Sequence, residues 1–131
     1  MIPPTILVAD DEPHILLLIV ITLRKDGYRI LEANDGGEAF DLVQAERPDV
    51  LVLDAQMPHR SGFDVCADVR ADVSLVPQPY VIMLTAAGQE ADRRRAAEVG
   101  VDEFMAKPFS PSRLRARVRE IIAERGSAGQ V

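Results

Sequence analysis

Apolar residues in this chain come in short blocks, and each block stops at a polar side chain. Ile6-Leu7-Val8-Ala9 stops at Asp10, with Asp11 and Glu12 behind it. Residues 28–33 form a second block, rich in β-branched and aromatic residues. Val50-Leu51-Val52-Leu53 stops at Asp54, Tyr80-Val81-Ile82-Met83-Leu84 at Thr85, and Phe104-Met105-Ala106 at Lys107. Short runs that are apolar on both faces predict buried parallel strands. The segments between them have helical spacing. Ile15, Leu18, Ile19, Thr22 and Leu23 follow the stripe of a core-facing helix that Gly27 is placed to end. Ala39, Leu42 and Val43 predict a second helix, closed by Pro48. Phe63, Val65, Cys66 and Val69 predict a third. Residues 89–99, followed by Gly100, predict a fourth. Leu114, Val118, Ile121 and Ile122 predict a fifth, with Gly126 just beyond. Strand and helix alternate five times, which predicts a doubly wound α/β sheet.

In such a sheet, ligands bind beyond the C-terminal ends of the strands. Asp10, Asp11, Glu12, Asp54, Thr85 and Lys107 all fall there, so one edge collects carboxylates, a hydroxyl and an ammonium. Two carboxylates about 4 Å apart repel by about 4 kcal/mol at an effective dielectric near 20. Acids gathered this way need a cation or a raised pKa. Mg²⁺ takes one or two carboxylates, keeps several waters and binds phosphate oxygens. Lys107 can neutralise a phosphoryl group as a point charge, and Thr85 can donate to one of its oxygens. These groups suit in-line phosphoryl transfer, with Asp54 as the acceptor.

Composition narrows the setting. With 131 residues the chain suits one domain, with a core over about residues 5–124 and a flexible tail over 125–131. Cys66 is the only cysteine, so no internal disulfide forms, and a reducing cytoplasmic location is expected. The start, Met1-Ile2-Pro3-Pro4, has no basic region of a signal peptide, and no apolar run is long enough for a membrane span. A net charge of −6 argues against direct nucleic-acid binding.

Taken in register, the acidic cluster Val8-Ala9-Asp10-Asp11-Glu12, Leu53-Asp54 with Met57-Pro58, Gly62, Leu84-Thr85-Ala86 and Lys107-Pro108-Phe109 resemble the receiver domain of two-component response regulators. The resemblance implies a flavodoxin-like five-stranded parallel sheet of order 2-1-3-4-5, flanked by five helices. It implies that Asp10, Asp11, Asp54 and the backbone carbonyl of Gln56 hold Mg²⁺, with Mn²⁺ as a substitute, and that Asp54 accepts phosphate from a histidine kinase or a histidine phosphotransfer protein. It implies that Thr85 and Lys107 contact the phosphoryl group, that Phe104 swings inward with Thr85, and that the Lys107–Pro108 bond is cis. Gln56 and Ala87 sit where the family tunes phosphate lifetime, and Ala87 has no side chain to orient an attacking water, so a long-lived phosphoryl group is expected. Arg60-Ser61-Gly62 replaces the commoner Met-Asp-Gly.

Two surfaces extend the expectation to partners. On the first helix the assigned stripe leaves Leu16, Leu17, Val20 and Ile21 outward, as a docking face for a histidine-containing partner or another receiver. Solvent exposure of Leu16 and Val20 decides that phase. Asp102, Glu103 and Arg117 occupy places used for a homodimer in the DNA-binding subfamily. His14 and His59 read as solvated residues, and Cys66 as a small core hydrophobe. The leading expectation is a switch that catalyses only its own phosphorylation and dephosphorylation. The alternatives are a non-catalytic receiver-like interaction module, which would have lost one of the key residues, and a phosphatase of the haloacid-dehalogenase type, which wants a second Asp where this chain has Gln56.

Overall fold

The computed structural model describes residues 2–86 and 90–128. Strands and helices alternate through the chain. The order is β1 (Thr5–Ala9), α1 (Pro13–Arg24), β2 (Arg29–Ala33), α2 (Gly36–Glu46), β3 (Val50–Asp54), α3 (Gly62–Ala71), β4 (Tyr80–Ala86), α4 (Glu90–Val99), β5 (Glu103–Lys107) and α5 (Pro111–Ala128). The strands form one parallel sheet in the order β2-β1-β3-β4-β5, as expected. The chain reverses direction of winding between β1 and β3, which opens a crevice at their C-terminal ends.

Strand alternation explains why the blocks are apolar throughout. Leu7, Leu51, Leu53, Val81 and Met83 face one layer, packed with Val43 of α2, Val65 and Val69 of α3 and Ala96 of α4. Ile6, Val8, Val50, Val52, Ile82 and Leu84 face the other, packed with α1 and with Leu114, Val118 and Ile121 of α5. Successive side chains point to opposite faces, so burial on both faces demands an unbroken apolar run.

Local side chains fix the helix ends. Asp35 caps α2 by accepting from the Glu38 amide at 2.8 Å. Ser61 and Asp64 form a reciprocal capping box at α3. Gly27 has a φ of 82° and turns the chain from α1 into β2.

Three expectations need correction. The phase of α1 is displaced by one residue. Leu16 and Val20 are 6% and 1% exposed and belong to the core with Ile19 and Leu23, whereas Leu18, placed in the core stripe, is 42% exposed. Leu17 and Ile21 are outward as expected, at 56% and 51%. The cause is the unbroken apolar run from residue 15 to 21, which offers no polar contrast to set the phase. Packing against α5 sets it instead. Thr22 is buried with the core, and its hydroxyl donates to the Leu18 carbonyl at 2.7 Å. The tail expected from residue 125 is helical through Ala128. Arg125 donates to the Gln78 carbonyl at 3.0 Å and holds that last turn, against a Gly126 penalty of only about 1 kcal/mol. Finally, β4 continues one residue past Thr85 to Ala86, so Thr85 lies inside the strand.

Candidate functional site

Three strand ends bring the acids and the lysine together. Asp10 follows β1 directly, Asp54 is the last residue of β3, and Lys107 is the last residue of β5. Asp10 is fully buried and Asp54 only 6% exposed, while Asp11 is exposed. One carboxylate oxygen from each of Asp10, Asp11 and Asp54 lies within 4.8 Å of the others. The Lys107 ammonium bridges the two buried acids, 3.2 Å from Asp10 Oδ2 and 3.3 Å from Asp54 Oδ1. Each buried acid also organises its own loop. Asp10 Oδ1 accepts from the Glu12 amide at 2.9 Å, and Asp54 Oδ1 accepts from the Gln56 amide at 3.3 Å. Such turns fix the backbone two residues beyond the acid.

A cleft of about 500 Å³ opens over this cluster, lined by Asp11, Glu12, Asp54, Ala55, Gln56, Met57, Pro58, Ala86 and Lys107. Asp10, expected at the metal, and Thr85, expected at the phosphoryl group, are less accessible than the rest: both are buried and neither lines the cleft.

The electrostatics follow from burial. Desolvation, and then the charge of Asp10, push the Asp54 carboxyl up from 3.8 to about 6, against the pull of Lys107 and the Gln56 amide. For Lys107, burial acts downward, but the charges of Asp54 and Asp10 outweigh it and hold the ammonium above its ordinary value. At neutral pH the cluster therefore holds concentrated negative charge against a single ammonium.

That donor set fits a hard divalent cation. The oxygens are carboxylates close to one another, and the Asp54 anion is disfavoured by burial and then by the Asp10 charge, which a cation offsets. Asp10, Asp11 and Asp54 are the carboxylates able to hold it, and Gln56 lines the same cleft.

Gly62 closes the loop that follows Asp54. Its amide donates to the Ala55 carbonyl at 3.0 Å, and a Cβ there would overlap the Asp54 carbonyl. The Lys107–Pro108 bond is cis, as expected.

The remaining candidates are spread more widely. Phe104 is half-buried on the α3–α4 side of the sheet, with the Arg93 guanidinium 4.5 Å from its ring centroid. Ala87 and Gln89 lie outside the described residues. His14 and His59 are exposed. Cys66 is fully buried, its thiol pushed up to about 11 by burial. The charges expected at a dimer face have partners within the chain. Asp102 accepts from Arg70 at 2.7 Å and from the Val81 amide at 2.8 Å. Glu103 accepts from Arg117 at 2.7 Å and from the Tyr80 hydroxyl at 2.8 Å.

Sequence reasoning missed one assembly near the cleft. Arg60, in the β3–α3 loop, lies over the Phe40 ring of α2 and is ion-paired with Asp68 of α3. The only signal was its departure from the commoner loop sequence. Nothing in the local pattern pairs residues 40 and 60.

Comparison with known proteins shows the family. The family described as the response regulator receiver domain matches residues 6–119. Among curated relatives, the alkaline phosphatase synthesis transcriptional regulatory protein PhoP of Bacillus subtilis is 40% identical over 89% of this chain and 48% of its own length. The probable transcriptional regulator ycf27 of Guillardia theta is 42% identical over 94% of this chain and 47% of its own length. The chain thus spans about half the length of the curated relatives it matches. Among solved structures, the chemotaxis response regulator CheY4 of Vibrio cholerae superposes with a TM-score of 0.82 at 29% identity, covering 91% of this chain and 98% of that one. Among the described residues, no helix is long and apolar enough to cross a membrane.

Proposed function

From the premise that the chain belongs to the response-regulator receiver domain family, we propose that it is a phosphoacceptor switch of a two-component phosphorelay, with Asp54 as the acceptor. The observation that carries this reading is the bridging of buried Asp10 and Asp54 by Lys107 at the floor of an open cleft.

The chain's own groups account for the chemistry. Asp54, raised only to about 6, is mainly ionised at neutral pH and presents a nucleophilic oxygen to the cleft. That oxygen attacks the phosphorus of a phosphohistidine on a histidine kinase or phosphotransfer protein. A P–O bond forms, the P–N bond breaks, and the imidazole leaves with the bonding pair. Lys107, held charged, moves from pairing Asp54 to pairing the new phosphoryl oxygens. Asp10, Asp11, Asp54 and the Gln56 carbonyl would hold Mg²⁺, which when bound would supply neutralisation of charge on the transferring phosphoryl group. Thr85 donates to the same group once its hydroxyl turns toward the cleft. Its register partner in β5 is Ala106, two residues from Phe104, so movement at Thr85 reaches the Phe104 face. The chain catalyses only its own phosphorylation and dephosphorylation.

The partner docks on α1. Leu17, Leu18 and Ile21 form its exposed apolar face, and the helix starts directly after Glu12, a cleft residue. Contiguous exposed apolar surface of this kind suits a partner helix.

Incubation with Mg²⁺ and a small acyl phosphate, followed by intact mass, tests the assignment. Wild type is expected to gain one phosphoryl group and Asp54→Ala none. An adduct that persists in Asp54→Ala, or its failure to form on wild type, overturns it.

A further inference from the structure

The segment joining Asp54 to α3 is held under backbone strain. His59 has a φ of 67°, and the Arg60 amide donates to the Pro58 carbonyl at 2.7 Å. Together these describe a γ-turn with positive central φ, which is rare for a residue with a side chain. Such a conformation persists only where its surroundings impose it. The ends of the loop are tied near Asp54, by the Gln56 amide to Asp54 Oδ1 and the Gly62 amide to the Ala55 carbonyl. Its middle is tied by Met57, buried in the core, and by Arg60, which reaches the flanking helices. The Arg60 guanidinium lies 4.8 Å from the Phe40 ring centroid and is ion-paired with Asp68. Its backbone carbonyl rests on Gly36, at the first turn of α2, where a Cβ would overlap it. One residue therefore fastens the loop to two helices that carry no cleft ligand.

We propose that Arg60 is a positioning residue for the divalent cation: by clamping the γ-turn to Phe40, Gly36 and Asp68, it holds the backbone of residues 55–58, and with it the Gln56 carbonyl, ready for the metal. The proposal rests on the reading of the cleft as a Mg²⁺-dependent phosphoacceptor site. Few residues separate Gln56 from Arg60, and Pro58 restricts them further, so little slack absorbs a movement of the turn. A loop already ordered in the metal-free protein leaves less to be ordered when the cation binds. Supporting groups behind metal ligands typically govern affinity by about tenfold or more.

The test compares wild type, Arg60→Ala, Arg60→Lys, Phe40→Leu and the double variant Arg60→Ala/Phe40→Leu. Mg²⁺ affinity is measured by calorimetry, and amide hydrogen exchange is followed in the metal-free proteins. Arg60→Ala is expected to weaken Mg²⁺ binding about tenfold, with faster exchange confined to residues 55–62. Phe40→Leu loses part of that affinity, and the double variant is no weaker than Arg60→Ala, because ring and guanidinium act as one unit. Arg60→Lys keeps the charge beside Asp68 but stacks less well, so it falls between. Wild-type Mg²⁺ affinity in Arg60→Ala overturns the proposal while leaving the functional reading intact. Faster exchange spread through α2 and α3 also overturns it, by assigning Arg60 to general stability. A wild type that binds no Mg²⁺ overturns both.

Discussion

Replacing Asp54 with asparagine removes the most strongly perturbed carboxylate of the cleft while nearly preserving its shape. Burial and the Asp10 charge raise this carboxyl from 3.8 to about 6 in the folded chain. The folded protein therefore binds this proton more tightly than the unfolded chain does. The favourable contribution is complete below about pH 4 and is lost as pH rises through about 6. At about 1.4 kcal/mol per pH unit, ionised Asp54 destabilises the metal-free protein by at most about 3 kcal/mol. The Lys107 side chain is 25% exposed, so water screens part of this and about 2 kcal/mol is a fair expectation. Urea unfolding in the presence of a chelator measures it. Asp54→Asn should be about 2 kcal/mol more stable than wild type at about pH 8 and nearly equal to it at about pH 4. Excess Mg²⁺ should close the gap at the higher pH, because it binds and stabilises wild type more than the variant. Asp54→Asn that is no more stable at the higher pH refutes the argument. An equal gain at both pH values refutes it too, since the effect would then be one of packing and not of charge.

Other consequences are open to direct measurement. Leu16→Ala should lose about 2–4 kcal/mol of stability to urea and Leu17→Ala less than about 0.5 kcal/mol, because only the first leaves a cavity; equally small losses at both would restore the phase expected from the sequence. In Gly62→Ala the new Cβ meets the Asp54 carbonyl and Met83 Sδ, so a loss of about 1–3 kcal/mol is expected, and wild-type stability would mean the loop moves aside freely. Lys107→Met should slow labelling by acyl phosphate about a hundredfold while tightening Mg²⁺ binding, since a competing cation has gone. Unchanged labelling would remove Lys107 from the phosphoryl site.

Much of the site was legible because its residues sit where strands end. Asp10, Asp54 and Lys107 each terminate an apolar block, and a doubly wound sheet sends every such terminus to one edge. Thr85 shows the limit of that logic. The hydrophobic run stops there, but the ladder with β5 does not, and Thr85 stays buried inside the strand while Ala86 lines the cleft. The outer face of α1 shows another. Leu17 and Ile21 were placed correctly, but Leu16 and Val20 were not, because seven consecutive apolar residues satisfy several phases equally.

By itself, then, the sequence determined the strands, their alternation with helices and the edge at which acids and lysine meet, since strand burial and strand ends are written in local runs of residues. Tertiary structure decided how deep each acid lies, which side of α1 faces solvent, and that Asp102, Glu103 and Arg117 are paired within the chain. It also decided that Arg60 reaches across from the loop to Phe40. These depend on contacts between residues tens of positions apart, where packing volume and charge pairing act and a local hydrophobic period carries no information.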